Sequence, residues 1–157
     1  NGYLNTPWFA NEAAARTLFG RIEGPHIPNP GNNRHGFTDE MLGRCLTWNY
    51  SPGLTSMHLY STPYTTSWII FTPSGHGGMQ WAGSGAQVKI RDGLYFIYWL
   101  EEACNGTLGA ILVNMRTMHD TGIGYHCNEK GLSISPIGAL ARHAGRFDIG
   151  RFFDERN

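Results

Sequence analysis

From Arg44 to about residue 135, apolar and polar side chains alternate with a period of two, and short turns interrupt the pattern at regular intervals. Such alternation sends successive side chains to opposite faces, so it specifies half-buried strands. The strands read from it cover about 44–50, 54–60, 66–72, 77–82, 85–91, 93–101, 107–115 and 118–126, with a short one near 131–135. Their connections include Ser51-Pro52-Gly53, Arg91-Asp92-Gly93 and Asn105-Gly106. Asp-Gly and Asn-Gly pairs tolerate positive φ and are strong hairpin signals. Twenty-one glycines in 157 residues suit a chain with this many turns. About eight strands joined by hairpins predict a mainly-β domain, either an up-and-down antiparallel barrel or a sandwich.

The two ends read differently. In residues 1–41, "ANEAAARTLFG" predicts a short helix: Asn11 is an N-cap, three alanines favour helix and Gly20 stops it. "EGPHIPNPGNNRHG" then forms an irregular arm, which either covers a sheet edge or acts as a lid. The barrel domain is expected over 42–135. "PIGALARHAGRF", after Ser135, predicts a closing helix within a tail of 136–157.

The charge balance excludes some partners. Twelve basic residues face twelve acidic ones, and no Lys/Arg run or stripe is present, which argues against nucleic acid. No apolar run approaches the roughly 20 residues of a membrane helix. Cys45, Cys104 and Cys127 are odd in number and widely spaced, so they suggest reduced thiols and a cytoplasmic location rather than a disulfide framework. Two Asn-x-Ser/Thr triplets, at Asn49 and Asn105, and a first residue that is not Met leave secretion open.

The stretch "GLYFIYWLEE" raises the chemical question. Alternation places Tyr95, Ile97, Trp99 and Glu101 on one face, and Glu102 on the other. If Glu101 enters an apolar barrel, desolvation favours its neutral form, as a general acid near neutral pH requires. If it ends the strand at the mouth, it is solvated instead. Spacing alone leaves both open.

The order of several blocks resembles phenolic acid decarboxylase and the wider group of small calycin-like, lipocalin-like barrels that includes the molybdenum cofactor biosynthesis protein F family. The resemblance covers roughly residues 42–120. It rests on "LTWNYSPG", where the decarboxylase family has two tyrosines at the positions of Trp48 and Tyr50; on "GGMQWAG", where it has Gly-Arg-Trp; on "GLYFIYWLE"; and on Gly106-Thr107. It implies a single up-and-down barrel of about eight strands. It also implies that Glu101 is an acid–base residue, that no cofactor is needed, and that the positions of Trp48, Tyr50 and Gln80 hold the substrate's polar end. Two departures matter. Gln80 stands where the family has an arginine and cannot clamp a carboxylate, and Trp48 replaces a tyrosine hydroxyl. The pattern therefore points away from hydroxycinnamate decarboxylation and towards a neutral conjugated or aromatic substrate.

Continuing the inward alternation from Tyr50, with the family's pairing, places Ser56 and His58 inside as well, and a histidine there is expected to titrate near the working range. The expected site is thus Glu101, Tyr50 and His58 as catalytic groups, with Trp48, Gln80, Trp99 and Thr107 shaping the pocket. Other patterns carry less. The glycine-rich turn at His76 lacks a P-loop lysine. His119 and His126 lie seven apart on one strand, hence on opposite faces, which weakens a metal reading that includes Asp120. No G-x-S-x-G is present. The functional expectation is a cofactor-independent, metal-free lyase or isomerase/cyclase acting by proton transfer on a small, largely hydrophobic conjugated or aromatic substrate bound inside the barrel. The alternatives are a non-catalytic ligand-binding barrel and a phenolic acid decarboxylase. A homodimer is the candidate assembly.

Overall fold

The computed structural model describes residues 19–20, 24–28, 34–72, 77–101, 107–128, 131–146 and 148. Among these it contains nine strands and no helix. They are β1 (Gly36–Phe37), β2 (Arg44–Ser51), β3 (Leu54–Thr62), β4 (Thr65–Ile70), β5 (Gln80–Arg91), β6 (Leu94–Glu101), β7 (Thr107–Asn114), β8 (His119–Asn128) and β9 (Gly131–Arg146). From β2 to β9 each strand pairs antiparallel with the next, and β9 pairs back onto β2. The result is a closed, eight-stranded, up-and-down barrel, and β1 adds two residues beside β5.

Local chemistry explains the turns. Gly93 adopts a φ of 75°, which only glycine takes without strain, and so closes the β5–β6 hairpin after Asp92. Between β7 and β8, Asn114 Oδ1 accepts bonds from the amides of Arg116 (3.0 Å) and Thr117 (3.3 Å), an Asx-type turn.

Two expectations are corrected. The helix expected after Ser135 is instead the second half of β9, which pairs with β8 from Gly131 to Leu140 and with β2 from Leu140 to Arg146. The Ala- and Arg-rich composition favours helix, but Ile137, Ala139 and Ala141 alternate inwards, and without this strand β2 and β8 would both be open edges. The two strands expected over 77–91 are one, β5, which runs unbroken through Gly83-Ser84-Gly85. A Cβ at Gly83 would overlap the Leu100 carbonyl and one at Gly85 the Tyr98 carbonyl, so these glycines mark close backbone approach rather than a turn. The helix expected over 11–20 lies, but for its last two residues, outside the described residues.

The core fills one end of the barrel. Met41, on the Asp39–Gly43 turn, packs with Leu46, Trp48, Tyr60, Ile97, Ile111 and Val113. There the buried Tyr95 hydroxyl donates to Glu40 Oε2 (2.6 Å), while Lys89 pairs with Glu40 (2.6 Å) and Asp92 (2.7 Å). The other end stays open. No helix among the described residues is long and apolar enough to cross a membrane.

Candidate functional site

Residues of β2, β3, β4, β6, β7, β8 and β9 surround a cavity of about 460 Å³ that opens at the end opposite Met41. The space exists partly because several inward positions carry no side chain. Gly85, Trp99, Gly109 and Gly124 are cross-strand partners on successive strands. A Cβ on Gly109 would overlap the Trp99 ring, so the glycine lets that indole lie against the wall. Gly124 leaves room beside the His126 imidazole.

At the mouth, Glu101 is held by two indoles. Its Oε1 accepts from Trp99 Nε1 (2.7 Å) on its own strand and from Trp68 Nε1 (3.0 Å) on β4. Indole is a donor only, so both bonds fix the carboxylate and set the angle at which it faces the cavity. Opposite, Thr107 Oγ1 and His126 Nδ1 lie 3.1 Å apart, and both line the cavity.

Deeper, Tyr50, Ser56 and His58 line the inner end. His58 is enclosed by aromatic rings: Trp99 at 5.5 Å edge-on, Trp48 at 6.0 Å and Tyr60 at 6.4 Å. Burial pushes its pKa down to about 3, so the imidazole is neutral at neutral pH. It does not titrate near the working range, contrary to the expectation from its type alone. Burial also drives the Tyr50 phenol well above its ordinary range, and the neighbouring Asp120 carboxylate adds to this. Asp120 is buried behind Tyr50. Burial raises its pKa to about 6, against the opposing influence of the Ala139 amide, the Tyr50 hydroxyl and His119.

The positions singled out in the sequence are therefore partly gathered. Glu101, Tyr50, His58, Trp99 and Thr107 share the cavity. Trp48 is fully buried beneath it, in contact with the His58 ring. Gln80 is not brought in. It pairs with Ile69, is exposed, and lines an outer groove with Met57 and Leu59. Sequence reasoning passed over Asp120 and His126 as site residues, although a period of two on β8 puts both on the inner face with Gly122 and Gly124. Among the described residues no cluster of three His, Cys, Asp or Glu side chains could hold a metal.

Comparisons place this geometry. A solved beta-lactamase-like protein from Burkholderia vietnamiensis superposes with a TM-score of 0.56 over 67% of this chain and 96% of its own, at 13% identity, a likeness of fold alone. Protein MoaF from Klebsiella aerogenes is 29% identical over 130 residues, covering 81% of this chain and 47% of that protein. The chain thus spans about half the length of that curated relative. The family description "MoaF C-terminal domain" matches residues 35–146, from β1 to the end of β9, and the chain belongs to that family.

Proposed function

We propose that the barrel binds a small, largely hydrophobic, conjugated or aromatic molecule and moves a proton on it without a cofactor, as a lyase or isomerase, with Glu101 as the acid–base group. The observation that carries this reading is the Glu101 carboxylate, fixed by two indole donors at the edge of a cavity with aromatic walls. A carboxylate held in this way can take a proton from one carbon of a bound ligand and return it to another, so the proton count balances without a co-reactant. Tyr50 and the neutral His58 supply hydrogen bonds to the oxygen on which charge develops. Trp99 and Trp68 form the walls.

Among the described residues no Lys or Arg lines the cavity, which disfavours a substrate held by its carboxylate. Decarboxylation of p-coumarate, followed by loss of its ultraviolet band, is therefore expected to be negligible. The main test is deuterium exchange. Conjugated ketones and phenols are incubated with the protein in deuterium oxide, and label entering carbon is read by NMR. Wild type should exchange a ligand it binds, and Glu101→Gln should bind that ligand while losing exchange. Equal exchange by the variant would refute the acid–base role and leave the ligand-binding barrel as the better reading.

A further inference from the structure

The inner end of the cavity carries polar groups that the protein's own hydrogen bonds leave largely unsatisfied. Ser56 and His58 are 4% and 2% exposed, and among the described residues neither Ser56 Oγ nor His58 Nδ1 has a partner of ordinary hydrogen-bond geometry, although the Ser56 hydroxyl lies close enough to the Tyr50 phenol to oppose the upward push on its pKa. Both residues line the cavity beside Tyr50. Behind them Asp120 is 5% exposed, and among the described residues neither of its carboxylate oxygens has a partner of ordinary hydrogen-bond geometry. Asp120 pairs with Ala139 on β9, and β9 pairs with β2 next to Tyr50, so the two side chains meet inside the barrel across one intervening strand. Buried polar groups left unpaired are costly, and a row of them at the floor of a cavity is what a polar ligand atom would satisfy.

We propose that this inner end is a hydrogen-bonding subsite for the uncharged hydroxyl or carbonyl group of the ligand, contacted by Tyr50 beside Ser56 and His58, with Asp120 a positioning residue that orients the Tyr50 hydroxyl. The proposal rests on the reading of the cavity as a small-molecule site and is independent of catalysis by Glu101. The charges select the ligand class. Glu101 lies at the mouth and Asp120 behind the floor, His58 is neutral, and among the described residues no Lys or Arg lines the space, so an anionic group finds no counter-charge among them. A cationic group would reach Tyr50 before Asp120, which does not line the cavity. The apolar body of the ligand then lies along Trp99 and Ile137, where Gly109 and Gly124 leave a flat wall.

Asp120 decides which way the Tyr50 hydroxyl points. As a carboxylate it accepts the phenolic proton and leaves the Tyr50 oxygen to accept from a ligand hydroxyl. As a neutral acid it can donate to that oxygen instead, turning the phenolic proton towards a ligand carbonyl. The groups that face Asp120 from the elements packed on it are Tyr50 from β2 and Tyr60 from β3, with His119 adjacent on β8; β7 and β9 present Val113 and Ala139. Both tyrosines are pushed upwards by burial and stay protonated.

Equilibrium dialysis against four single-ring probes tests the subsite: 4-ethylphenol, 4-ethylanisole, 4-ethylbenzoate and 4-ethylbenzylamine. Wild type should bind 4-ethylphenol about tenfold more tightly than the anisole, the worth of one good hydrogen bond. Tyr50→Phe should erase that difference without weakening the anisole. In wild type, 4-ethylphenol affinity should change as pH crosses about 6, and in Asp120→Asn it should not. Ser56→Ala offers a second reading of the subsite should Tyr50→Phe fold poorly, and is expected to narrow the same difference. Equal or tighter binding of the benzoate or the benzylamine, no binding of any probe, or an unchanged preference in Tyr50→Phe and Ser56→Ala would each overturn the proposal. Glu101→Gln should keep the preference while losing exchange, so failure of the catalytic reading and failure of the subsite give different results.

Discussion

Gly109→Ala is the perturbation whose effect can be worked most directly from the geometry. The three Trp99 ring atoms nearest to an added Cβ all lie within 2.6 Å of it. Ordinary carbon–carbon contact is about 3.5–4.0 Å, so the indole must retreat by about 1 Å. Its Nε1 now donates to Glu101 over 2.7 Å, and a retreat of that size brings this bond to the limit of hydrogen-bond range. Overpacking of this kind costs about 1–3 kcal/mol. Two readouts follow. Urea unfolding should show a loss of stability in that range. The Trp99 indole N–H resonance should move upfield as its bond to the carboxylate weakens. Gly145→Ala is the control, since a Cβ there meets nothing within 4 Å and its φ is not in the left-handed region. It should be neutral or stabilising by up to about 1 kcal/mol, because alanine restricts the unfolded chain. If Gly109→Ala unfolds within about 0.5 kcal/mol of wild type and its indole resonance stays in place, the argument that glycine makes room for Trp99 is wrong.

The buried titrating groups predict opposing pH dependences. His58 falls from 6.5 to about 3 on folding, so its contribution is present above 6.5 and is lost as pH falls from there towards 3. Asp120 rises from 3.8 to about 6, so its contribution is present below 3.8 and is lost as pH rises through 6. Between about pH 4 and 6 the two slopes oppose, and Asp120→Asn should make stability climb more steeply with pH than in wild type, measured by urea midpoints; a shallower climb would show that the Asp120 shift has the wrong sign. Tyr95→Phe removes the 2.6 Å bond to Glu40 and should cost about 1 kcal/mol, discounted because the carboxylate is partly exposed, while ligand binding at the far end of the barrel stays unchanged.

The legible part of the fold was the part governed by local rules. Alternation and the Asp92-Gly93 turn placed β6 to within a residue, and with it the inward direction of Trp99 and Glu101. What stayed hidden depended on partners distant in sequence. The inward residues of β9 are small, so Ala139 and Ala141 carry little apolar contrast, and the strand is set by its two neighbours rather than by its own propensity. Gly83 and Gly85 look like turn residues until the Leu100 and Tyr98 carbonyls are placed against them. Gln80 begins β5, and only its register with Ile69 shows that it faces outwards. Asp120 reads as a polar strand-end residue beside His119. Its role emerges only when closure of the barrel brings Tyr50 to it, across a strand that local propensity assigns to helix.

That closure has a consequence for how the chain reaches its native state. Every pairing from β2 to β9 joins strands adjacent in sequence except one, the β2–β9 seam, where Thr47 Oγ1 meets the Arg142 carbonyl 95 residues away. The meander can zip hairpin by hairpin, but the seam must bring together its two most distant strands, and that step carries the greatest loop-closure entropy. During synthesis β2 is present long before β9 has been made, and until then its free edge can pair with strands of other chains. The last strand of the barrel is thus also its latch, and substitutions that weaken β9 should lower the yield of correctly folded protein more than comparable changes in the central hairpins.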